Sequence, residues 1–342
     1  MIKRNIIKPL LCIALVSQLS MAWAHDKHKT SWGTPPSGME TIGETHGEIA
    51  VANNGDIYTS VVSGKKPGIQ VYSPAGEYLR NIDNAPTDFH GFTIHKEGDQ
   101  EFIYGSGNKS QKIFKMTLSG DVVLEVDVFK AIKNQLVKYQ QQGIQKTLLR
   151  GKKLKLSAVD VSSNGDIYVI DGYGADFIHR FDKSGNYLSS FGGRESPYAF
   201  SNAHKLAIDK RFSPERILLT DRKNLRLVHL TLDGTLIGDV NTKLKRPSAI
   251  AFYNDYVGVA EIGGAVSVLD KQGNIVNVLG GGQIKRPKSV KKPFDLPIEH
   301  WLAGRVNTPH GIAFDKHGDI FITEFNKYGR LLKFESPLSQ DK

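Results

Sequence analysis

One phrase recurs along the chain and constrains its fold more than any other feature. It consists of an apolar strand, a turn with glycine, a strand of the Asp-Ile-Tyr type, a loop, and an apolar strand that ends at a second glycine turn. The clearest copies occupy residues 47–80, 156–191 and 309–334, and weaker copies occupy 89–123, 203–240 and 247–279. The chain therefore contains six copies of one unit.

Each unit predicts three or four short β-strands. Its residues alternate in polarity, and its hairpin turns carry Asn-Gly, Glu-Gly, Ser-Gly or Asp-Gly pairs that accept positive φ. One small sheet leaves its faces exposed, whereas sheets stacked around an axis cover one another and leave only short edges. A repeat of roughly 40–50 residues is typical of propellers. We therefore predict an all-β, six-bladed β-propeller, because an open β-sandwich would not explain six copies.

The first 24 residues have the features of a secretory signal. Three basic residues precede an apolar stretch, and Ala22-Trp23-Ala24 is a small-x-small cleavage site. We expect residues 1–24 to be removed and residues 25–342 to form a propeller exported to the periplasm or the medium. No stretch has the length and flanks of a membrane span. The single cysteine, Cys12, lies in the removed segment, so disulfides and thiolate metal sites are excluded from the rest.

Positive charge is concentrated in one insertion. The chain has a formal net charge of +10, and residues 131–155 hold seven Lys and Arg and no acid. This basic stretch belongs to an insertion, about 128–154, that separates units two and three. The insertion is predicted to form a short amphipathic helix. It is either a solvated insertion or a patch for an anionic surface or partner. A second basic stretch, 285–292, is predicted to be a loop. Neither interleaves aromatic and base-reading side chains, which argues against nucleic-acid binding.

Histidine occupies one register position in alternate units. When the first strands are aligned, units two, four and six carry His90, His204 and His310. The other units carry the small residues Gly47, Ser157 and Ser248 at this position. His46 lies one residue before Gly47 and is therefore out of register. Alternate blades of a six-bladed ring stand about 120° apart, so three imidazoles are expected to meet at one mouth of the channel. Three neutral imidazoles with an open position are typical of a catalytic zinc site. The alternative is that each histidine only satisfies a strand end.

Several phrases resemble those of a known family. Residues 221–227, DRKNLRL, are close to the D-x-x-N-x-R-I phrase of NHL repeats. The three histidine phrases, FHGFTI, FSNAHKLAID and NTPHGIAFD, together with IDGYGADFIHRFDKSGNYLSSFG and LTDRKN, resemble the peptidyl-α-hydroxyglycine α-amidating lyases, which are NHL-repeat six-bladed propellers. The resemblance covers nearly the whole chain beyond residue 24 except the basic insertion. The order and spacing of the phrases are more specific than any single phrase.

The resemblance implies a chemistry. One zinc per chain would be bound by His90, His204 and His310, Tyr173 would act as the base, and Arg222 would hold the carboxylate of a small anionic substrate. The activity implied is a C–N lyase that cleaves an α-hydroxyglycine-type carbinolamide to an amide and glyoxylate. Taken on their own, Tyr173 could instead pack on a neighbouring blade, and Arg222 could form a salt bridge between blades. A closed propeller needs no partner for stability, so we predict a monomer.

Two departures from the family pattern matter. Gly311 stands where these lyases have an acidic residue associated with a structural calcium, which argues against calcium here. The family's second active-site arginine has no counterpart in residues 59–64, where only Lys65 or Lys66 could replace it. These departures favour an alternative from another class, a non-catalytic propeller that binds a partner or ligand on one face. A third possibility is a metal-assisted hydrolase on the same scaffold, because a zinc-bound hydroxide could attack an ester or lactone.

Overall fold

The computed structural model describes residues 30–133, 154–282 and 284–338. Its strands form six antiparallel sheets that follow one another along the chain. The fold is therefore the predicted six-bladed β-propeller. The predicted signal segment and most of the basic insertion lie outside the described residues, and the predictions for them stay predictions.

Five blades contain four strands and the sixth contains three in the described residues. The strands of blades one to three are β1 (Glu44–Val51), β2 (Ile57–Ser63), β3 (Gly68–Tyr72), β4 (Tyr78–Ile82), β5 (Phe89–Glu97), β6 (Gln100–Gly107), β7 (Lys112–Thr117), β8 (Val122–Asp127), β9 (Ala158–Val161), β10 (Ile167–Ile170), β11 (Phe177–Phe181) and β12 (Tyr187–Gly192). Those of blades four to six are β13 (Ala203–Asp209), β14 (Arg216–Asp221), β15 (Arg226–Thr231), β16 (Leu236–Asn241), β17 (Pro247–Tyr253), β18 (Tyr256–Glu261), β19 (Ala265–Leu269), β20 (Ile275–Leu279), β21 (Pro309–Phe314), β22 (Ile320–Glu324) and β23 (Arg330–Phe334).

The ring closes through the first strand of each blade. Each first strand contacts the first strand of the next blade, and β21 contacts β1. The six first strands therefore surround a central channel. On the outer side of blade six, residues 30–33 run beside β23, where the Trp32 N–H donates to the Leu331 carbonyl at 2.6 Å. The N-terminal part of the described chain thus covers the edge of the last blade.

The hydrophobic core is divided into six layers, one between each pair of neighbouring blades. Ile49 and Phe321, for example, fill the layer between blades one and six. Both faces of every sheet are covered by this arrangement, which is the physical reason for closing the ring. Most of the exposed large apolar side chains lie on outer strands, including Leu79, Val122, Val123, Leu188, Ile237, Ile275, Val276 and Val278.

The two segments between blades differ from the repeats. A helix begins at residue 128, as predicted, and its described part, 128–133, buries Val128 and Ile132 in the layer between blades two and three. The basic stretch 285–292 is a loop, followed by short 3₁₀ helices at Pro293–Asp295 and Ile298–His300. Nowhere in the described ranges is there a helix with the length and apolar content needed to cross a bilayer.

Candidate metal centre

A bulge at the start of the first strand positions each of the three aligned histidines. The pairing of β5, β13 and β21 with the second strand of the blade slips at His90, His204 and His310. Hydroxyl groups on the second strands, from Ser106, Thr220 and Thr323, bond the backbone of the residue after each histidine. A bulge breaks the alternation of side chains and redirects one of them. The repeated bulge therefore turns an imidazole toward the channel in every second blade.

The structure brings the three imidazoles together in a nearly equilateral triangle. Ring centroids lie 4.8 Å apart for His90 and His204, 4.8 Å for His204 and His310, and 5.0 Å for His90 and His310. Each Nδ1 contacts a main-chain carbonyl of the next blade, at distances of 2.8, 2.6 and 3.2 Å from Ser157, Ser248 and Gly47. These acceptors are the small residues at the same register position. Each imidazole is thus oriented by the neighbouring blade.

The protonation of these rings follows from their surroundings. Burial lowers the pKa of His90, His204 and His310 well below the ordinary 6.5, so all three are neutral near pH 7. A neutral imidazole that donates from Nδ1 to a carbonyl carries a lone pair on Nε2. The three Nε2 atoms are therefore acceptors.

Those acceptors have too few donors. The Tyr173 hydroxyl lies 3.0 Å from Nε2 of His90 and 2.9 Å from Nε2 of His204, but its single proton can satisfy only one. Nε2 of His310 is buried and has no hydrogen-bond partner among the residues that the structure describes. A buried acceptor without a donor costs about 1–3 kcal/mol. A bound cation would use these lone pairs, so the residues fit a metal ion.

A fourth histidine, missed by the alignment, joins this cluster. The ring of His46 lies 5.1 Å from that of His90 and 4.9 Å from that of His310. One ligand atom from each of His46, His90 and His310 lies within 4.8 Å of the others, so these three could bind a metal ion, and the predicted ligand His204 is not part of this compact group. His46 stacks on Phe325 at 3.8 Å, and Phe325 stacks on Phe294 at 4.3 Å. Burial, with a smaller contribution from the charge of Arg222, lowers the pKa of His46 to about 4.

Tyr173 and Arg222 lie beside the histidines. The Arg222 guanidinium carbon is 5.3 Å from the centre of the Tyr173 ring, and its Nε donates to Asn202 Oδ1 at 2.8 Å. In the described parts of the chain no carboxylate pairs with Arg222, so the alternative of a salt bridge between blades is not supported. Tyr173 does not merely pack on a neighbouring blade, since its hydroxyl contacts two imidazoles.

A second arginine was also missed by sequence reasoning. Arg246 lies on the loop before β17 and is exposed, and within the described ranges its side chain has no hydrogen bond or ion pair. Burial raises the pKa of Tyr173, whereas the charges of Arg222 and Arg246 act in the opposite direction. Lys66 does not take this place, because its amine contacts the Tyr78 hydroxyl on an outer strand at 3.4 Å.

Gly311 is explained by close approach of blade one. A Cβ at this position would lie 2.7 Å from Thr323 Oγ1 and 2.9 Å from the Gly47 carbonyl oxygen. That oxygen is the one that contacts His310 Nδ1. An acidic side chain at position 311 would therefore displace the group that orients a candidate ligand.

A buried ion pair forms the floor of the site. Glu48 and Lys205 come directly after the aligned position of the first strand, which is Gly47 in blade one and His204 in blade four. Their side chains meet across the channel with an Nζ to Oε2 distance of 2.7 Å. Each side chain is only 7 % exposed. On the far side of the pair lies a cavity of about 270 Å³ lined by the first strands. The pair therefore separates the histidine cluster from the rest of the channel.

Replacing Lys205 by methionine is expected to lower the free energy of unfolding by about 3–5 kcal/mol, because the Glu48 carboxylate would remain buried without its partner. Urea denaturation measures this. Lys112→Met breaks an exposed pair with Glu125, with side chains 34 % and 45 % exposed, and should leave the free energy of unfolding nearly unchanged because solvent screens the pair. Equal losses in the two variants would contradict a structural role for the buried pair.

Gly91→Ala tests the orientation of His90. The added Cβ would lie 2.4 Å from the Ser157 carbonyl oxygen, which is the acceptor for His90 Nδ1. We expect a loss of about 1–3 kcal/mol in stability from overpacking and a metal affinity roughly 10-fold weaker from loss of the orienting bond. Gly281→Ala is the control, since its nearest atom is 3.9 Å away. A metal affinity unchanged from wild type would show that the carbonyl does not orient the ring.

Comparison with known proteins establishes the fold. No protein-family model and no curated protein matches the chain. Among solved structures, a streptogramin B lyase matches 89 % of this chain and 97 % of its own at 16 % identity, with a TM-score of 0.55. A catalytically inactive histidine-to-alanine variant of virginiamycin B lyase from Staphylococcus aureus, with quinupristin, matches 90 % of this chain and 88 % of its own at 16 % identity and a TM-score of 0.51. A gluconolactonase from Xanthomonas campestris matches 86 % and 88 % at 10 % identity and a TM-score of 0.55. These likenesses show the propeller fold alone, and the resemblance to NHL repeats and amidating lyases stays a prediction.

Proposed function

We propose that the chain is an exported, zinc-dependent C–N lyase that converts a small anionic α-hydroxyglycine-type carbinolamide to an amide and glyoxylate. The observation that carries this proposal is the triangle of three neutral imidazoles, oriented by carbonyls of neighbouring blades, with the Tyr173 hydroxyl against two of them. Arg222 lies next to that tyrosine. A base, an anion-binding group and a set of metal ligands thus occupy one mouth of the channel.

The metal would be held by His90, His204 and His310. When bound, zinc supplies Lewis-acid chemistry that lowers the pKa of a hydroxyl group. Imidazole is a preferred zinc ligand, and a set of three leaves a position for substrate.

Tyr173 moves the proton in this mechanism. The substrate hydroxyl loses its proton to Tyr173, the oxygen forms a carbonyl with the former hydroxyl carbon, and the C–N bond breaks. The departing nitrogen then takes that proton from Tyr173, which leaves an amide and an aldehyde acid and restores the tyrosine anion. The charges of Arg222 and Arg246 favour the tyrosine anion that this role requires, against burial, which disfavours it.

Two guanidinium groups support an anionic substrate. Arg222 is buried and Arg246 is exposed, and neither has a carboxylate partner in the described ranges. A guanidinium binds a carboxylate through two parallel hydrogen bonds, which fixes orientation as well as charge. The substrate carboxylate would therefore lie on the side of blades four and five.

The structural neighbours support the proposal only in part. The streptogramin B and virginiamycin B lyases indicate that this fold can carry lyase activity. The gluconolactonase favours a second candidate, a metal-assisted hydrolase that acts on a lactone at the same histidines. A binding propeller without activity is the third reading, and metal analysis separates it from the two enzymes.

The test uses the purified chain loaded with zinc and an N-acyl α-hydroxyglycine, with release of amide and glyoxylate followed over time. Tyr173→Phe should lower kcat about 10²-fold, as expected for loss of a positioned base. Tyr78→Phe, on an outer strand, is the control and should retain activity. Full turnover by Tyr173→Phe, or cleavage of a lactone in place of the carbinolamide, would defeat the proposed mechanism.

A further inference from the structure

His46 differs from the other three histidines in how it is held. The Nδ1 atoms of His90, His204 and His310 each contact a carbonyl of the next blade. Within the described ranges the side chain of His46 makes no hydrogen bond. It is held instead by stacking on Phe325 and by edge contacts with two of the histidine rings. Both of its nitrogens are therefore available to a ligand.

The position of His46 is set by blade one, which lies between blades six and two. Its ring lies beside those of His90 and His310, with centroids 5.1 and 4.9 Å away, whereas the Tyr173 hydroxyl contacts His90 and His204. The compact group of candidate ligand atoms, all within 4.8 Å of one another, contains His46 with His90 and His310. Between His90 and His204, by contrast, the Tyr173 hydroxyl lies about equally close to both Nε2 atoms.

We propose that His46 is a fourth protein ligand of the metal centre and the one that a substrate oxygen replaces. This inference rests on the proposed metal site at His90, His204 and His310. A zinc site with four protein ligands is closed, and a catalytic site needs an open position. One ligand must therefore leave before chemistry, and the histidine without a bond to the backbone is the least restrained.

An aromatic column orients this ligand. Phe325 stacks on His46 with an interplanar angle of 15°, and Phe294 backs Phe325 with an angle of 18°. Phe294 belongs to the segment between blades five and six, where its carbonyl accepts a hydrogen bond from the Lys327 N–H at 3.2 Å. Phe325 is therefore a positioning residue for His46. Phe325→Leu keeps the imidazole but removes its stacking partner.

Cobalt binding to the full chain tests this inference. Co²⁺ reports its ligands through its visible absorption, independently of any activity. We expect His46→Ala to bind one Co²⁺ with an altered spectrum and an affinity about 10- to 100-fold weaker than wild type, and Phe325→Leu to show a smaller loss. Loss of a group that only orients a metal ligand typically weakens metal binding about 10- to 100-fold, and loss of a ligand should weaken it at least as much. His317→Ala, at an exposed turn, should match wild type in affinity and spectrum.

A second measurement addresses replacement by substrate. Glycolate, which offers a hydroxyl and a carboxylate, should bind the cobalt form of His46→Ala more tightly than the wild-type cobalt form, because no ligand has to be displaced. Unchanged cobalt affinity and spectrum in His46→Ala, with cobalt lost in His310→Ala, would overturn the inference while leaving the proposed function intact. Failure of the wild-type chain to bind any cobalt would overturn both.

Discussion

His310→Ala is expected to abolish stoichiometric metal binding and to lower turnover roughly 10⁴-fold. His310 completes the triangle from blade six, and its buried Nε2 atom has no hydrogen-bond partner in the described ranges. A bound cation would satisfy this lone pair. A catalytic metal supplies several kcal/mol of stabilisation to the transition state. Each 1.36 kcal/mol corresponds to a factor of ten in rate, so about 5.5 kcal/mol gives this loss.

Metal content per chain and kcat/KM on the carbinolamide measure the two effects together. Circular dichroism must show that the variant keeps its β-sheet signal, because His310 is only 2 % exposed and its truncation leaves a small cavity. His317→Ala provides a matched histidine substitution on the same blade at an exposed turn. A His310→Ala chain that retains one zinc and full turnover would place the metal elsewhere, and the lyase mechanism would be lost with it.

The convergence of the aligned histidines follows from properties that a sequence displays. Six copies of one phrase required six sheets, and a ring is the arrangement that covers all their faces. Histidine in every second copy then predicts three imidazoles spaced about 120° apart around the channel axis, provided that the first strands have the same register in each blade. The register holds because each of these strands begins with the same bulge, at His90, His204 and His310.

The parts that the sequence did not reveal depend on local departures from the repeat. The strand β1 begins at Glu44, three residues before Gly47, whereas β5, β13 and β21 begin one residue before their histidines. This early start lets His46 reach the cluster although it is out of register. Arg246 approaches the site through a loop, with φ of 64°, and no phrase of the repeat encodes that loop.

The contact between Glu48 and Lys205 could have been predicted from the sequence. The two residues occupy the same register position in units one and four, and these units stand opposite each other in a ring of six. Opposite charges at such positions predict a contact across the channel. The geometry of the floor could therefore have been inferred from the alignment that identified the three histidines.

The second large effect is on stability at acidic pH. We expect the metal-free chain to lose about 3 kcal/mol per pH unit below pH 6.5 and to unfold between about pH 6 and 4.5. Burial lowers the pKa of five histidines by a large amount, namely His46, His90, His179, His204 and His310, and lowers that of His95 by less. The unfolded chain takes up a proton on each of the five as the pH falls through 6.5, and the folded chain does not. Stability is therefore complete above pH 6.5 and falls below it, by about 1.4 kcal/mol per pH unit for each histidine.

Three buried acids act in the opposite direction. Burial raises the pKa of Asp171 to about 6, and raises those of Asp176 and Glu48. An ion pair opposes the effect of burial on the pKa of two of these carboxyls, Glu48 with Lys205 and Asp176 with Arg194. In the folded chain these carboxyls take up protons before the unfolded chain does, which stabilises the fold as the pH falls. With all three acting in full, unfolding still takes up about two protons, or about 3 kcal/mol per pH unit.

His179→Gln isolates one histidine from the candidate metal centre. His179 contacts Ser190 Oγ through Nδ1 at 2.6 Å, and burial lowers its pKa to about 3. Its Nε2 atom is buried and has no hydrogen-bond partner within residues 30–133, 154–282 and 284–338. Urea unfolding of the chelator-treated variant between pH 7 and 5 should give a slope shallower by about 1.4 kcal/mol per pH unit, because one proton fewer is taken up on unfolding. His317→Gln, at an exposed turn, should leave the slope unchanged. If both variants keep the wild-type slope, burial of neutral histidines is not the source of the acid sensitivity, and the neutral state assigned to the three imidazoles loses its support.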